Sequence, residues 1–462
     1  MAEAGRLLQR VLDQLGCPDG AAFLRQVAAR HASLGFGAMA TRPEKYYRWC
    51  SGVRPERKAE TAMIHMLDVP LWRARELGWP HWLRLALTDD DRALTAAPWT
   101  PAGSLQAMDH LEELDHHGRL ADMERRAFMM ISSSALTATL TNWAAASPAQ
   151  AIRTAEQYPR IGDSTTDLID GRLDHLRRLD DRIGSAQAYR LASAERSMIR
   201  DALKDTSHAE STKRRLFAAA AEASRICGWS AFDSGRADIA ELHYTAALHC
   251  ATSASDPVVA ANTLNFWAML RYSKGDTAGA LDIVDQALRT AQQAGSPRLT
   301  AMLHARAGRA HAKAGDERSS RRAEDTAFAT YSHADRTDAD PPCVYWVDAT
   351  ELHSWAATNA LDLNAPRRAL THHAAIAAAQ QQDQRYDSTA YPRSAALRLT
   401  RKADAHLAMS DVDAAVLTAE QALHRMGGVT SSRGSSMLAD LRTKLGSYQR
   451  VPAVADFLER TV

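Results

Sequence analysis

The chain has 462 residues, 45% hydrophobic and 24% charged, which excludes wholesale disorder and collagen-like repeats and is long enough for about three domains or one repeat array. Its 56 Lys and Arg against 55 Asp and Glu leave a formal net charge of +1, so any attraction to nucleic acid or an acidic membrane has to come from a local patch. Five scattered cysteines (Cys17, Cys50, Cys227, Cys250 and Cys343), never spaced C-x-x-C, argue against a disulfide framework or zinc knuckle and for a reducing cytoplasm.

Met1 to Arg6 open an amphipathic stretch, not a charged segment followed by an apolar one, so no secretory leader is expected. From Ala22 to Arg30 the apolar spacing predicts a short helix, with Ala28 small enough for a close crossing and a turn at Leu34 to Gly37 behind it. Thr41, Pro43 and Glu44 read as a capping box with proline in the first turn. The helix they start runs through Lys45 to Cys50 and stops at Gly52.

Between Arg42 and Lys58 there are six basic residues and two acidic ones, Glu44 and Glu56. Lys and Arg on such a helix can read base edges and those in the following turn can hold phosphates, so Arg42, Lys45, Tyr46, Arg48, Arg54, Arg57 and Lys58 are the expected DNA-contacting set. The bland alternative is a solvated basic face on a small helical bundle. The run Arg48-Trp49-Cys50-Ser51-Gly52, with the closing stretch Ala62 to Pro70 and Leu77-Gly78-Trp79, resembles the phage-repressor-like (XRE) helix-turn-helix. That resemblance implies a recognition helix packed onto its neighbours by Trp49. The link from Gly35 to Ala40 is longer than in that family.

The helical pattern breaks between Leu87 and Ser104, at Asp89 to Asp91, Pro98 and Pro101, which closes a first domain at 1–90. A second break near Tyr158 to Asp170 makes 91–167 a helical connector. Within it, Arg125-Arg126 before the uncharged run Ala127 to Ala151 imitates a twin-arginine export signal. More than a hundred residues precede it, however, and Ser132, Thr137, Thr139 and Asn142 make the run too polar to span a bilayer. It reads as a buried helical connector.

From about Leu168 to the end, 168–462, spacing repeats. Five turn markers, Gly235, Gly275, Gly315, Asn364 and Ser410, lie 40, 40, 49 and 46 residues apart. Seven residues before them stand Gly228, Ala268, Gly308, Ala357 and Ala403, and five after them Ala240, Ala280, Ser320, Ala369 and Ala415. These offsets resemble the tetratricopeptide repeat, although the spacing exceeds that family's usual 34. The resemblance implies a superhelix of helical pairs whose first helices line a concave groove. Counting back from the markers places Arg225, Trp229 and Phe232, then Asn262, Asn265, Met269 and Tyr272, on it. Further along come Arg309, Glu351, Ser354, Thr358 and Asp404, with Trp229 and Phe232 equally readable as packing between repeats. Asparagine amides suit an extended peptide because each donates and accepts.

His110, Glu113 and His117 share a helix face but lack the H-E-x-x-H order, so a solvated helix is expected there and at His372-His373. No nucleophile elbow, P-loop or dinucleotide fingerprint occurs. An enzyme, a cofactor and a metal are therefore not expected.

The order of divergent helix-turn-helix, connector and repeats resembles large actinobacterial, streptomycete-type regulators. It rests on the helix motif above, Met123 to Phe128, Leu176 to Gly184, Lys213 to Glu222 and Gly228 to Gly235. The expected fold is all-α. The resemblance implies a cytoplasmic transcription regulator of development or specialised metabolism, homodimeric through its repeats. Its partners would be double-stranded DNA and a peptide or small-molecule effector, with no membrane. The alternative is an interaction scaffold with a vestigial helix-turn-helix that docks another regulator.

Overall fold

The computed structural model describes residues 3–15, 17–67, 69, 71, 74–75, 78–87, 94, 97–116, 136, 139–141, 143–144, 162–334, 340–382, 391–426 and 431–460. The described residues form helices and short 3-10 turns, with no strand among them. They divide into two compact units, residues 1–97 with 109–142, and residues 98–108 with 143–462. Of the connector run Ala127 to Ala151, the described residues are helical and include buried Leu136, Leu140 and Trp143. Met123 to Phe128 lie outside the described residues.

In the first unit α1 (Glu3–Gln14), α2 (Gly20–Ser33), α3 (Pro43–Cys50) and α4 (Arg57–Met66) surround one core. Leu8, Phe23, Leu24, Met63, Trp82 and Leu83 are sealed from solvent in it. Asp19 caps α2 by accepting from the Ala22 amide at 2.7 Å, which satisfies a donor that no earlier turn can reach. The capping box expected at Thr41 does not form. Arg42 is the N-cap and gives no side-chain hydrogen bond, and α3 starts on Pro43, whose fixed φ and missing N–H suit the first position. Beyond α3, Gly52 takes φ +99°, a conformation that strongly favours glycine, and the chain turns away.

The second unit begins where the helix α5 (Pro101–His116) carries Ser104, whose hydroxyl donates to the His249 carbonyl at 2.8 Å. Trp99 stacks on the His249 ring at 3.8 Å between centroids. Residues 98–108 thus pack with the second unit. Then come α6 (Asp163–Ile183) and α7 (Ser185–Asp205), followed by five hairpins. These pair α8 (Glu210–Asp233) with α9 (Ala237–Ala254), α10 (Pro257–Ser273) with α11 (Thr277–Ala294), and α12 (Pro297–Lys313) with α13 (Glu317–Ser332). The last two join α14 (Ala349–Asp362) to α15 (Pro366–Gln382) and α16 (Pro392–Ala408) to α17 (Val412–Met426).

Every turn marker read from the sequence lies between the two helices of a hairpin with positive φ: Gly235, Gly275 and Gly315 at 78–87°, Asn364 at 55° and Ser410 at 63°. The small residues flanking them are sealed in the crossings. A Cβ on Gly228 would meet the Tyr244 ring at 2.5 Å, so the α8–α9 crossing requires glycine there. Asp256, Asp276, Asp316 and Asp348 cap the helices that follow them. Finally α18 (Ser432–Leu445) and α19 (Pro452–Arg460) cover the last hairpin with Leu441, Leu445, Val454 and Phe457.

The array closes on itself, because α6 touches α16. There Arg393 donates to the buried Asp180 carboxylate at 2.7 Å. Asp233, sealed at the end of α8, accepts from Ser185 at 2.7 Å and from Ser431 at 3.1 Å. Two carboxylates therefore tie the start of the array to its end.

Candidate functional site

In the first unit, α3 turns Tyr46 and Trp49, three residues apart, into the core. Tyr46 is 8% exposed and lies over Gly20 and edge-on to Phe23, so its expected place on the DNA-contacting face is corrected: the apolar stripe of so short a helix takes it inward. Its neighbour Tyr47 is 69% exposed and stands among the basic residues instead. Arg42, Arg48, Arg57 and Lys58 are exposed, and Lys45 reaches over the Trp49 ring at 5.8 Å. Exposed Arg54 donates to Glu60 at 2.9 Å, and Glu60 also accepts from buried Trp82 at 3.0 Å. Arg54 is thus partly committed to holding α4.

The second unit holds a cavity of about 1090 Å³, lined by the inward helices α6, α8, α10, α12, α14, α16 and α18 and by the segment 340–348. Of the residues expected on a concave groove, Arg225, Trp229, Met269 and Tyr272 line it, as do Arg309, Glu351, Ser354, Thr358 and Asp404. Phe232 does not. Asn262 and Asn265 do not either, and their expected place in the groove is corrected. Both are buried in helix packing, where Asn265 Oδ1 accepts from Arg306 Nε at 2.9 Å. The groove face of α10 is formed by Phe266, Met269, Tyr272 and Ser273, so the expected face holds at Met269 and Tyr272, while Phe266 stands in the groove where Asn265 was expected.

Among the described lining residues twelve are Arg or Lys and seven Asp or Glu. At one end the charges are matched. Glu222 receives two hydrogen bonds from Arg225 (3.0 and 2.8 Å) and one from Arg177 (2.6 Å). Burial would raise its pKa, but the two guanidiniums overcome that and bring it down to about 2. Asp180 behaves alike: burial opposes ionisation, yet Arg393 and the Trp229 indole N–H, 2.6 Å away, hold the carboxyl below its ordinary range.

Towards α12, α16 and α18 the match fails. Arg306 donates to two neutral acceptors, Asn265 and the Tyr272 hydroxyl at 2.6 Å. Arg309 shares Asp362 with Lys313. Arg433 approaches a single carboxylate among the described residues, Asp233 at 3.5 Å, with Met269 Sδ 4.0 Å from its Nη1, and its buried Nε has no hydrogen-bond partner. Burial together with Arg309 and Arg433 pulls the Arg401 guanidinium down to about 10. Tyr272 shows the same field: burial would raise its phenol, but Arg306 and Arg309 bring it below the ordinary value.

Aromatic rings alternate with these cations. Arg225 lies over Phe266 (4.6 Å), Arg306 over Trp355 (4.4 Å), and both Arg393 and Arg433 over Trp229 (5.2 and 5.0 Å). Trp346 stands between Phe266 and Trp355, at 6.4 and 5.8 Å.

No family model matches the chain, and no curated protein is similar to it.

Arg306, Arg401, Arg433 and Trp346 were absent from the residues expected on sequence. Arg306 could have been found from its place one turn before Arg309, and Arg401 from its place one turn before Asp404. Arg433 and Trp346 lie outside the five hairpins and carry no repeat signal. Among the described residues no group of three or more His, Cys, Asp or Glu is placed to hold a metal ion. No described helix is long and apolar enough to cross a membrane.

Proposed function

We propose that the chain is a DNA-binding transcription regulator, in which a divergent helix-turn-helix within residues 1–90 contacts duplex DNA and a tetratricopeptide-like array takes an effector in its groove. The observation that carries this reading is α3. Trp49 and Tyr46 anchor it to the core while Arg42, Arg48, Arg57 and Lys58 remain in solvent beside it. Such a helix can approach a polyanion without unfolding anything, and its guanidiniums can serve base edges or phosphates. The concave, cation-rich groove of the array supports the effector half of the reading, since ligand sites are concave and carry a few convergent polar groups.

The test is a genome-wide chromatin pull-down, followed by gel shifts on the enriched sequence with Lys45→Ala/Arg48→Ala. The expected result is a sharp operator motif, loss of specific binding in the double variant, and a salt slope shallower by about 1 for each phosphate contact removed. No enriched motif, or unchanged affinity and slope, would replace this reading with that of a scaffold docking another regulator.

A further inference from the structure

We propose that the groove binds a small organic phosphate, its phosphoryl oxygens held by Arg306, Arg309, Arg401 and Arg433 and a flat ring laid on Trp346. This rests on the effector half of the function proposed above and names the class of effector.

A buried guanidinium without a carboxylate is costly, and Glu222, Asp180 and Asp233 show that the array supplies carboxylates where it needs only to hold itself together. At the other end of the groove it supplies fewer: Arg309 has Asp362, which it shares with Lys313. Arg306 has only amide and hydroxyl acceptors, and Arg401 has no ion pair or hydrogen bond among the described residues. Arg433 has one long contact to a carboxylate already bound by Ser185 and Ser431.

These four side chains converge. Arg306 and Arg309 flank the Tyr272 ring at 5.9 and 5.6 Å, and the fields of Arg309 and Arg433 both fall on Arg401. Four planar donors around one space suit an oxyanion with several acceptor oxygens, which phosphoryl groups provide. Such an anion would relieve a repulsion that Asp362 and Glu351 offset only in part at Arg401.

The second element is Trp346. Unlike Trp229, Trp355 and Phe266, its ring carries no guanidinium among the described contacts, it is half-buried, and its indole N–H is spent on the Cys343 carbonyl at 3.0 Å. It therefore offers a face and not a donor. Arg306 stacks on Trp355 at 4.4 Å and Trp355 stands 5.8 Å from Trp346, so Arg306 and the open ring are within about 10 Å, and the other three cations line the same groove. One small molecule spans that.

An acidic peptide is the less favoured occupant. The amides that would have recognised an extended backbone, Asn262 and Asn265, are buried away from the groove. The contact of α6 with α16 also ties the array's start to its end, and a long chain would have to thread past it. The volume is near the upper end for a small-molecule site.

The experiment is calorimetry and thermal melting of the full chain with pyrophosphate, ATP, GTP, adenosine and a ten-residue polyglutamate peptide. Pyrophosphate should raise the melting temperature, and at least one nucleotide should bind ten-fold or more tighter than pyrophosphate. Arg401→Gln, which removes a cation with no partner, should leave the ligand-free melting temperature undiminished and weaken both ligands at least ten-fold. Trp346→Leu should weaken the nucleotide while sparing pyrophosphate; the ratio is read within one variant, so a loss of folding does not imitate it. Absence of any shift with pyrophosphate and nucleotides, tight binding of the peptide instead, or indifference to Arg401→Gln would each overturn the proposal. Calorimetry that stays silent while gel shifts still find an operator overturns the ligand and leaves the regulator standing.

Discussion

The arginines around α3 stand outside the core of the first unit, and most of those lining the groove of the second unit stand inside it. Arg42, Arg48 and Arg57 face water, where a guanidinium needs no protein partner, so the fold neither depends on them nor restricts what they touch. Arg225 and Arg306 are 5% and 3% exposed, and each requires something opposite it. The contrast teaches how to read basic residues. On a surface their number matters, and in a groove what matters is which of them the protein leaves without a carboxylate.

The largest effect should come from removing a carboxylate that the groove does supply. Glu222→Ala would strand Arg177 and Arg225 and cost about 3–5 kcal/mol, measured by denaturant unfolding. Arg48→Ala and Arg57→Ala on the outer face should each stay within about 0.5 kcal/mol of the parent. Equal costs at the two places would erase the contrast.

That contrast was half legible in the sequence. The outer patch could be counted, because its residues lie within seventeen positions of one another. The five hairpin turns were legible too, since a positive φ and a sealed crossing each restrict one position to small or turn-forming residues, and those positions recur at fixed offsets. The pairing inside the groove was not. Asp180 meets Arg393 across 213 residues and Asp233 meets Ser431 across 198, and no local pattern records which first helix will touch the last. Tyr46 and Tyr47 show the limit at short range. They are adjacent aromatics on an eight-residue helix, and only the packing against Gly20 and Phe23 decides which one turns inward.

A smaller effect is expected from pH, again on the inner side. His373 lies buried on α15, facing Arg398, Arg401, Lys402 and His406 of α16; burial and these cations push its pKa down to about 3. The imidazole is then neutral in the folded protein but takes a proton in the unfolded chain below about 6.5. Stability is therefore fully present above that pH and declines as pH falls towards 3, by about 2 kcal/mol at pH 5. His372, brought down to about 4 by burial, His353 and Arg368, adds to the loss in the same direction. His373→Gln should flatten the dependence of the melting temperature between pH 7 and 5. A parent protein whose melt does not move over that range would place His373 in water.

The smallest effect separates two asparagines one turn apart. Both are buried, yet only Asn265 has a task that reaches the groove: its Oδ1 accepts from Arg306, one of the cations without a carboxylate. Asn262 Oδ1 finds no partner, so Asn262→Ala removes an acceptor that was already unsatisfied and should change stability by less than about 1 kcal/mol. Asn265→Ala leaves the Arg306 Nε–H facing apolar carbon and should cost about 1–3 kcal/mol. The same loss frees Arg306 to swing from its stack on Trp355, so affinity for an anion should drop in this variant and not in the other. Denaturant unfolding and pyrophosphate titration of the two single variants check both halves. Equal behaviour of the pair would mean that Arg306 is held by Tyr272 and Trp355 without the amide, and that the groove's charge arrangement does not extend into the helix packing behind it.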